Sequence, residues 1–179
     1  MDYKELVKNC LKEKAEAQKE LYDHFAASMF GVCYRYTKSL TDAEDVLQDS
    51  FTDAFMQLSS FENRSTFGAW LKQIVVFKSI SFLKKQRINF TDIETVGDLP
   101  EENGMNETEI WYTVDMIRQT IKQLPDGYRT VLSLYLFEGY DHEEIAEILG
   151  VAQSTVRTQY IRAKQKLLQL LKKREVYEQ

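Results

Sequence analysis

The 179-residue chain has few of the residues that interrupt helices or cross-link loops. It contains two prolines, seven glycines and two cysteines. So few turn-forming residues favour a helical chain, and two cysteines match no disulfide framework, which predicts a reduced, cytoplasmic protein. No apolar run approaches the roughly 20 residues needed to span a bilayer. The N-terminal stretch is charged throughout, unlike a signal peptide. We therefore expect no membrane insertion.

The patterns that carry most catalytic and metal chemistry are also missing. The sequence has no Gly-rich phosphate loop, no HExxH and no CxxC. His24 and His142 lie far apart in the sequence and match none of these patterns. We expect no catalytic residues, no metal and no cofactor, and so a protein that is not an enzyme.

Charge of one sign is missing from four long stretches, although the net charge is only -5. Residues 39–63 contain acids but no Lys or Arg, and the same holds for residues 88–111. Residues 72–87 and 152–174 contain bases but no acid. The two basic blocks suggest two contacts with nucleic acid, and the acidic residues suggest a further, positively charged partner.

Residues 141–168 have the pattern of a helix-turn-helix. Asp141 is a good N-cap, with Glu144 completing a capping box, and Gly150 ends the first helix before a second begins near Gln153. The second helix of such a motif lies in the major groove of DNA. An ordinary helical hairpin with a solvated basic face is the alternative. The outward positions predicted to contact DNA are Ser154, Thr155, Arg157, Thr158, Ile161, Arg162 and Lys166.

Helical periodicity also marks residues 3–87 and 110–137, and no alternating strand pattern is present. It predicts an all-α fold of two small helical domains, residues 1–87 and 110–179, with the helix-turn-helix in the second. Residues 88–109 are polar and acidic, with Gly and Pro, and predict a flexible linker.

Three segments in this order resemble a known family. They are DAEDVLQDSFTDAF (42–55), STFGAWLKQI (65–74) and IKQLPDGYRTVLSLYLFEGYDHEEIAEILGVAQSTVRTQYIRAKQKL (121–167). Together they resemble a bacterial RNA polymerase sigma factor of the extracytoplasmic-function (ECF) group, in the sigma-70 family. The resemblance implies a factor that binds core RNA polymerase and directs promoter recognition and DNA melting. Its partners would be core polymerase, promoter DNA and an anti-sigma factor.

The resemblance also implies a role for each charged surface. Residues 1–87 would be sigma region 2, which binds polymerase and the minus-ten element, and residues 110–179 would be sigma region 4, which binds the minus-thirty-five element. The residues expected to bind polymerase are Asp45, Gln48, Asp49 and Asp53. Those expected to meet minus-ten DNA are Asn63, Ser65, Lys72, Gln73, Phe77, Lys78, Ser81 and Lys84.

Three of the minus-ten positions depart from the usual family pattern. Gln73, Phe77 and Ser81 stand where Arg, Asn and Asp are usual, so the role carries over but the base preference does not. Trp70 and Ile74 share one helix face and are expected to belong to the core rather than to a DNA surface.

A helix-turn-helix activator that is not a polymerase subunit is the alternative function. A response regulator of that kind needs an α/β receiver domain with buried apolar strands, and residues 1–87 show no such strands.

Limited proteolysis of the full chain should cut between residues 88 and 108 and release two folded pieces. An acidic, base-free segment buries little apolar surface and stays open to a protease. Mass spectrometry of the fragments locates the cuts. Preferential cutting inside residues 42–85 would contradict this domain boundary.

Overall fold

The computed structural model describes residues 3–62, 64–86, 90 and 112–178. Within these ranges the protein has no strand, which confirms the predicted all-α fold. Apart from Phe90, the linker predicted at residues 88–109 lies outside the described residues. The helices are α1 (Tyr3–Leu11), α2 (Ala15–Thr37), α3 (Leu40–Met56), α4 (Phe67–Lys85), α5 (Val114–Ile121), α6 (Asp126–Ser133), α7 (His142–Leu149) and α8 (Gln153–Glu178).

The chain divides into two compact units, Met1–Arg87 and Ile88–Gln179. In the first unit α2, α3 and α4 pack against one another, and α1 packs on α2. The side chains of Leu21, Tyr36 and Leu71 have no exposed surface in this core. Their burial removes apolar area from water, which is the main favourable contribution to folding.

Side-chain caps fix where the two charged helices of the first unit begin. The Ser39 Oγ accepts a hydrogen bond from the Asp42 backbone N–H at 3.3 Å, so α3 begins at Leu40. The Thr66 Oγ1 accepts one from the Ala69 N–H at 3.2 Å, so α4 begins at Phe67. Each cap satisfies a donor that the first helical turn leaves unpaired.

An aromatic cluster holds the start of α4 against the rest of the unit. The Phe67 ring lies 5.4 Å from the Phe25 ring and 5.7 Å from the Phe61 ring, centroid to centroid. Trp70 lies 5.3 Å from Phe61. Gly68 permits the close approach, because a Cβ at this position would stand 2.8 Å from a carbon of the Phe25 ring. The loop that leads into α4 is therefore anchored at Phe61.

The second unit is built around the inner face of α8. Its core joins residues of α5 and α6, and of the turn between these helices, to α8, and a π-helical turn, Leu134–Glu138, extends α6. The buried members of this cluster are Ile121, Leu124, Tyr128, Leu132, Ala163, Leu167 and Leu171. One face of α8 packs in this core, and the opposite face points outward.

The structure contains the predicted helix-turn-helix in α7 and α8. The Asp141 side chain accepts from the Glu144 backbone N–H at 2.9 Å, and the Glu144 carboxylate accepts from the Asp141 N–H at 2.8 Å. This is the predicted capping box. Gly150 follows α7 with φ +72°, a left-handed conformation that Gly adopts without a steric penalty. The inward Ile145 and Val156 are fully buried.

A buried guanidinium ties the turn between α5 and α6 to the first residues of α6. Arg129 is 1% exposed, and its Nη1 donates to the Leu124 carbonyl at 3.1 Å. Its Nη2 lies 2.6 Å from an Asp126 carboxylate oxygen. Burial lowers the pKa of Arg129, but Asp126 opposes that change and a guanidinium stays charged in proteins.

Phe90 belongs to the second unit, although the sequence analysis places it in the linker. It is 4% exposed, and its carbonyl accepts a hydrogen bond from Nε2 of Gln159. Gln159 is 2% exposed on α8 and would otherwise be a buried amide with an unsatisfied donor. Phe90 is thus part of the packed second unit rather than of an open linker.

Replacing Arg129 with Met should lower the free energy of unfolding by about 2–4 kcal/mol, because the Leu124 carbonyl would stay buried without this donor. Chemical denaturation of the full chain, followed by circular dichroism, measures the change. Arg118→Met is the matched control, since Arg118 meets Asp115 at an exposed surface site and should cost less than about 1 kcal/mol. Equal losses of unfolding free energy in the two variants would show that burial of the Arg129 guanidinium adds no stability.

Candidate polymerase and nucleic-acid interfaces

The acidic residues of α3 lie on its outer side. Asp45, Gln48 and Asp49 are exposed, and Asp53 is half-buried. The helix contains no Lys or Arg, so its carboxylates have no partner one turn away within the helix. Such a face repels itself, and a positively charged partner would relieve that repulsion.

The minus-ten candidates on α4 fall into two groups. Gln73, Phe77 and Ser81 are exposed at intervals of four residues and form a stripe along the helix. The Phe77 side chain is 41% exposed, which leaves the ring open for stacking. Lys84 is also exposed, whereas Lys72 and Lys78 are half-buried.

The remaining candidates of the first unit lie before or beside that stripe. Ser65 is exposed in the loop before α4, and Asn63 lies outside the described residues. Trp70 and Ile74, expected to be core, are half-buried rather than fully enclosed. The Trp70 ring packs on Phe67 at 5.5 Å and also borders a groove.

That groove brings together residues that the sequence assigns to two different partners. Its volume is about 550 Å³, and it lies between α3 and α4. Asp49 and Asp53 border it from α3, and Gln73, Phe77 and Lys78 border it from α4. The Lys78 ammonium lies 2.7 Å from an Asp53 carboxylate oxygen, and the two side chains are 33% and 32% exposed. Nothing in the sequence pattern indicates this pairing, because it depends on how the two helices pack.

The α8 helix presents the predicted minus-thirty-five residues outward from its N-terminal half. Ser154, Arg157 and Ile161 are exposed. The other four are half-buried: Thr155, Thr158, Arg162 and Lys166. Ile161 is 56% exposed, so an apolar side chain stands beside the basic ones where it can touch a base methyl group.

An aromatic cluster that the sequence pattern does not reveal packs against α8. The Tyr135 ring lies 5.2 Å from the His142 ring and 4.7 Å from the Tyr160 ring. Tyr135 belongs to the π-helical turn, a feature that helical periodicity does not reveal. Burial raises the pKa of the Tyr160 phenol, which stays neutral at physiological pH. The cluster joins this turn to both helices of the helix-turn-helix.

The described part of the chain contains no group of three or more His, Cys, Asp or Glu residues placed to hold a metal ion. None of its helices is long and apolar enough to cross a membrane. Both cysteines are buried and free, and burial raises the pKa of Cys33 to about 11.

Comparison with known proteins gives the same order of parts. Residues 21–88 match the family described as Sigma-70 region 2, and residues 115–167 match Sigma-70, region 4. The ECF RNA polymerase sigma factor SigW of Bacillus subtilis is 28% identical, over 96% of this chain and 98% of that protein. The ECF RNA polymerase sigma-E factor of Salmonella typhimurium (strain LT2) is 32% identical, over 80% of this chain and 79% of that protein.

A solved structure shares the fold. The sigma factor RpoE, crystallised in complex with the anti-sigma factor NepR from Bartonella quintana, superposes with a TM-score of 0.51 at 24% identity. The match covers 86% of this chain and 96% of that one.

Proposed function

This chain belongs to the extracytoplasmic-function group of the sigma-70 family, and we propose that its two units divide the contacts of a sigma factor between them. As a sigma factor it binds core RNA polymerase and directs promoter recognition in transcription initiation, so the alternative of a separate activator is wrong. The observation that carries this is the presence of both sigma regions, in order, along one chain.

The first unit acts as sigma region 2 and meets polymerase through α3. The residues we assign to this contact are Asp45, Gln48, Asp49 and Asp53. Exposed carboxylates that lack bases on their own helix support the assignment, since a basic polymerase surface would complement them.

The same unit meets the minus-ten element through α4 and the loop before it. Promoter opening exposes single-stranded DNA, whose bases stack on aromatic rings and whose phosphates attract ammonium groups. Phe77 offers the ring, Gln73 and Ser81 offer hydrogen bonds beside it, and Lys72, Lys78 and Lys84 offer charge. Asn63 and Ser65 are assigned to a base taken out of the stack.

The second unit acts as sigma region 4 and reads the minus-thirty-five element with α8. Arg157 and Arg162 present forked donors that match guanine in the major groove. Ile161 suits a thymine methyl group, and Ser154, Thr155, Thr158 and Lys166 suit phosphates or base edges.

An anti-sigma factor is the further partner that we propose, as the family resemblance implies. The sharing of a fold with a sigma factor crystallised with such a partner fits this. The chain would work in the cytoplasm, where core polymerase is, and would contribute no catalytic group or cofactor of its own.

Replacing both Asp45 and Asp49 with Lys should weaken core polymerase binding by about tenfold or more. The new positive charges would then face a basic polymerase surface. A binding titration with labelled chain measures the affinity, and circular dichroism checks the helix content. The matched control reverses Glu16 and Glu20 to Lys on α2, a pair with the same spacing and exposure. If the α3 variant bound core polymerase as tightly as the control, the polymerase surface would have to be sought elsewhere.

Replacing Arg157 with Ala should weaken the free energy of binding to the minus-thirty-five element by about 1–3 kcal/mol. It should also reduce the base preference at one or two base pairs. Lys172→Ala, at an exposed position of α8, should instead weaken binding to all sequences alike and make the salt slope shallower by about one. Competition between single-base variants of the upstream element, with holoenzyme as the binder, separates the two outcomes. A uniform loss with Arg157→Ala would make Arg157 a phosphate contact.

A further inference from the structure

We propose that Asp53 and Lys78 form an electrostatic latch. The ion pair keeps Lys78 from DNA phosphates until polymerase binds Asp53, and Lys78 can then bind promoter DNA. This deepens the proposed function, because it rests on the assignment of α3 to polymerase and of α4 to the minus-ten element. Asp53 then acts as a positioning residue for a DNA contact as well as a polymerase contact.

The geometry of this ion pair differs from that of its neighbours. The Asp53–Lys78 pair joins two helices across a groove, with 2.7 Å between the charged atoms and two thirds of each side chain covered. The pairs Glu5–Lys8, Lys19–Asp23 and Glu62–Arg64 are instead local and lie at exposed sites. A partly covered pair is less screened by salt than exposed ones.

Each binding partner must compete with the ion pair for one of its two charges: polymerase for Asp53 and DNA for Lys78. A DNA phosphate that approaches Lys78 while Asp53 is in place meets a carboxylate less than 3 Å from the ammonium. A basic polymerase group that engages Asp53 removes this repulsion and leaves Lys78 to the phosphate. Each partner therefore strengthens binding of the other, and the coupling is reciprocal. A pair of this exposure limits the effect to about fivefold in an equilibrium constant.

The latch acts on the phosphate contact rather than on the base contacts. Gln73, Phe77 and Ser81 form an exposed stripe whose hydrogen-bonding and stacking groups do not include the ion pair. Opening the latch should therefore steepen the salt dependence of DNA binding, because one more ammonium displaces counterions. The order of base preferences should stay the same.

The experiment uses the full chain and a fluorescein-labelled single strand of about 15 thymidines, a length that covers a typical single-strand site. Fluorescence anisotropy gives the affinity at several salt concentrations. Asp53→Asn should raise the affinity of the free chain about two- to fivefold and steepen the salt slope. In the double variant, adding Lys78→Met should abolish the affinity gain of Asp53→Asn.

Asp49→Asn is the matched control for the loss of one negative charge. Asp49 borders the same groove one helical turn earlier, and no ion pair of Asp49 is seen among the described residues. An equal gain from Asp49→Asn, or a gain from Asp53→Asn that survives Lys78→Met, would overturn the latch, since general electrostatics would explain it.

A second arm measures the same variants in holoenzyme. There the ratio of affinities between Asp53→Asn and the natural chain should fall to about one, because polymerase already holds Asp53. A ratio unchanged from the free chain would overturn release by polymerase. If reversal of Asp45 and Asp49 leaves core binding unchanged, the polymerase surface is wrong, whereas the link between positions 53 and 78 in the free chain is judged separately.

The double variant Asp53→Lys with Lys78→Asp is a control for misfolding of the single variants. It rebuilds the ion pair with reversed direction and should fold as the natural chain does. It should also lack the affinity gain of Asp53→Asn, because its cation is again paired. A gain in this variant as large as that of Asp53→Asn would contradict the latch.

Discussion

The packing of α3 against α4 is the constraint on which the first unit's chemistry depends. Phe51 and Ala54 from α3, and Leu71 and Val75 from α4, are almost fully buried in the shared core. Burying these faces forces the polar faces of both helices outward, and one is acidic while the other is basic. An acidic surface and a basic surface thus come to border a single groove.

In the second unit, one long helix provides both a core face and an outward face. The inner face of α8 carries Ala163, Leu167 and Leu171 into the core, and its outer face carries Arg157 and Ile161. Because the core fixes the rotation of α8 about its axis, it also fixes which side chains point outward. Sites on a rigid helix hold their side chains more accurately than sites on loops.

The arrangement also explains how an acidic chain can bind DNA. A net charge of -5 opposes approach to DNA, but α4 carries four Lys and no acid, and residues 153–174 of α8 carry seven Lys and Arg and no acid. Screening limits each charge to a range of about 10 Å, so local groups matter more than the total. The Asp53–Lys78 pair shows the reverse effect, since one acid placed within 3 Å of a base offsets its charge.

The sequence by itself determined the all-α character of the chain, together with the capping box, the glycine stop and the inward face of the helix-turn-helix. Local signals sufficed for these: Asp141 and Glu144 cap α7, Gly150 ends it, and apolar spacing places Val156 inward. Family resemblance supplied the order of the two sigma regions.

Only the tertiary structure decided the contacts between residues far apart in the chain. It paired Asp53 with Lys78, joined Tyr135 to His142 and Tyr160, and placed Phe90 against Gln159. Periodicity tells which face of a helix is apolar, but not which neighbouring helix that face meets or at what angle. The meeting of the polymerase and minus-ten candidates in one groove follows from that packing, and so does the proposed coupling between them.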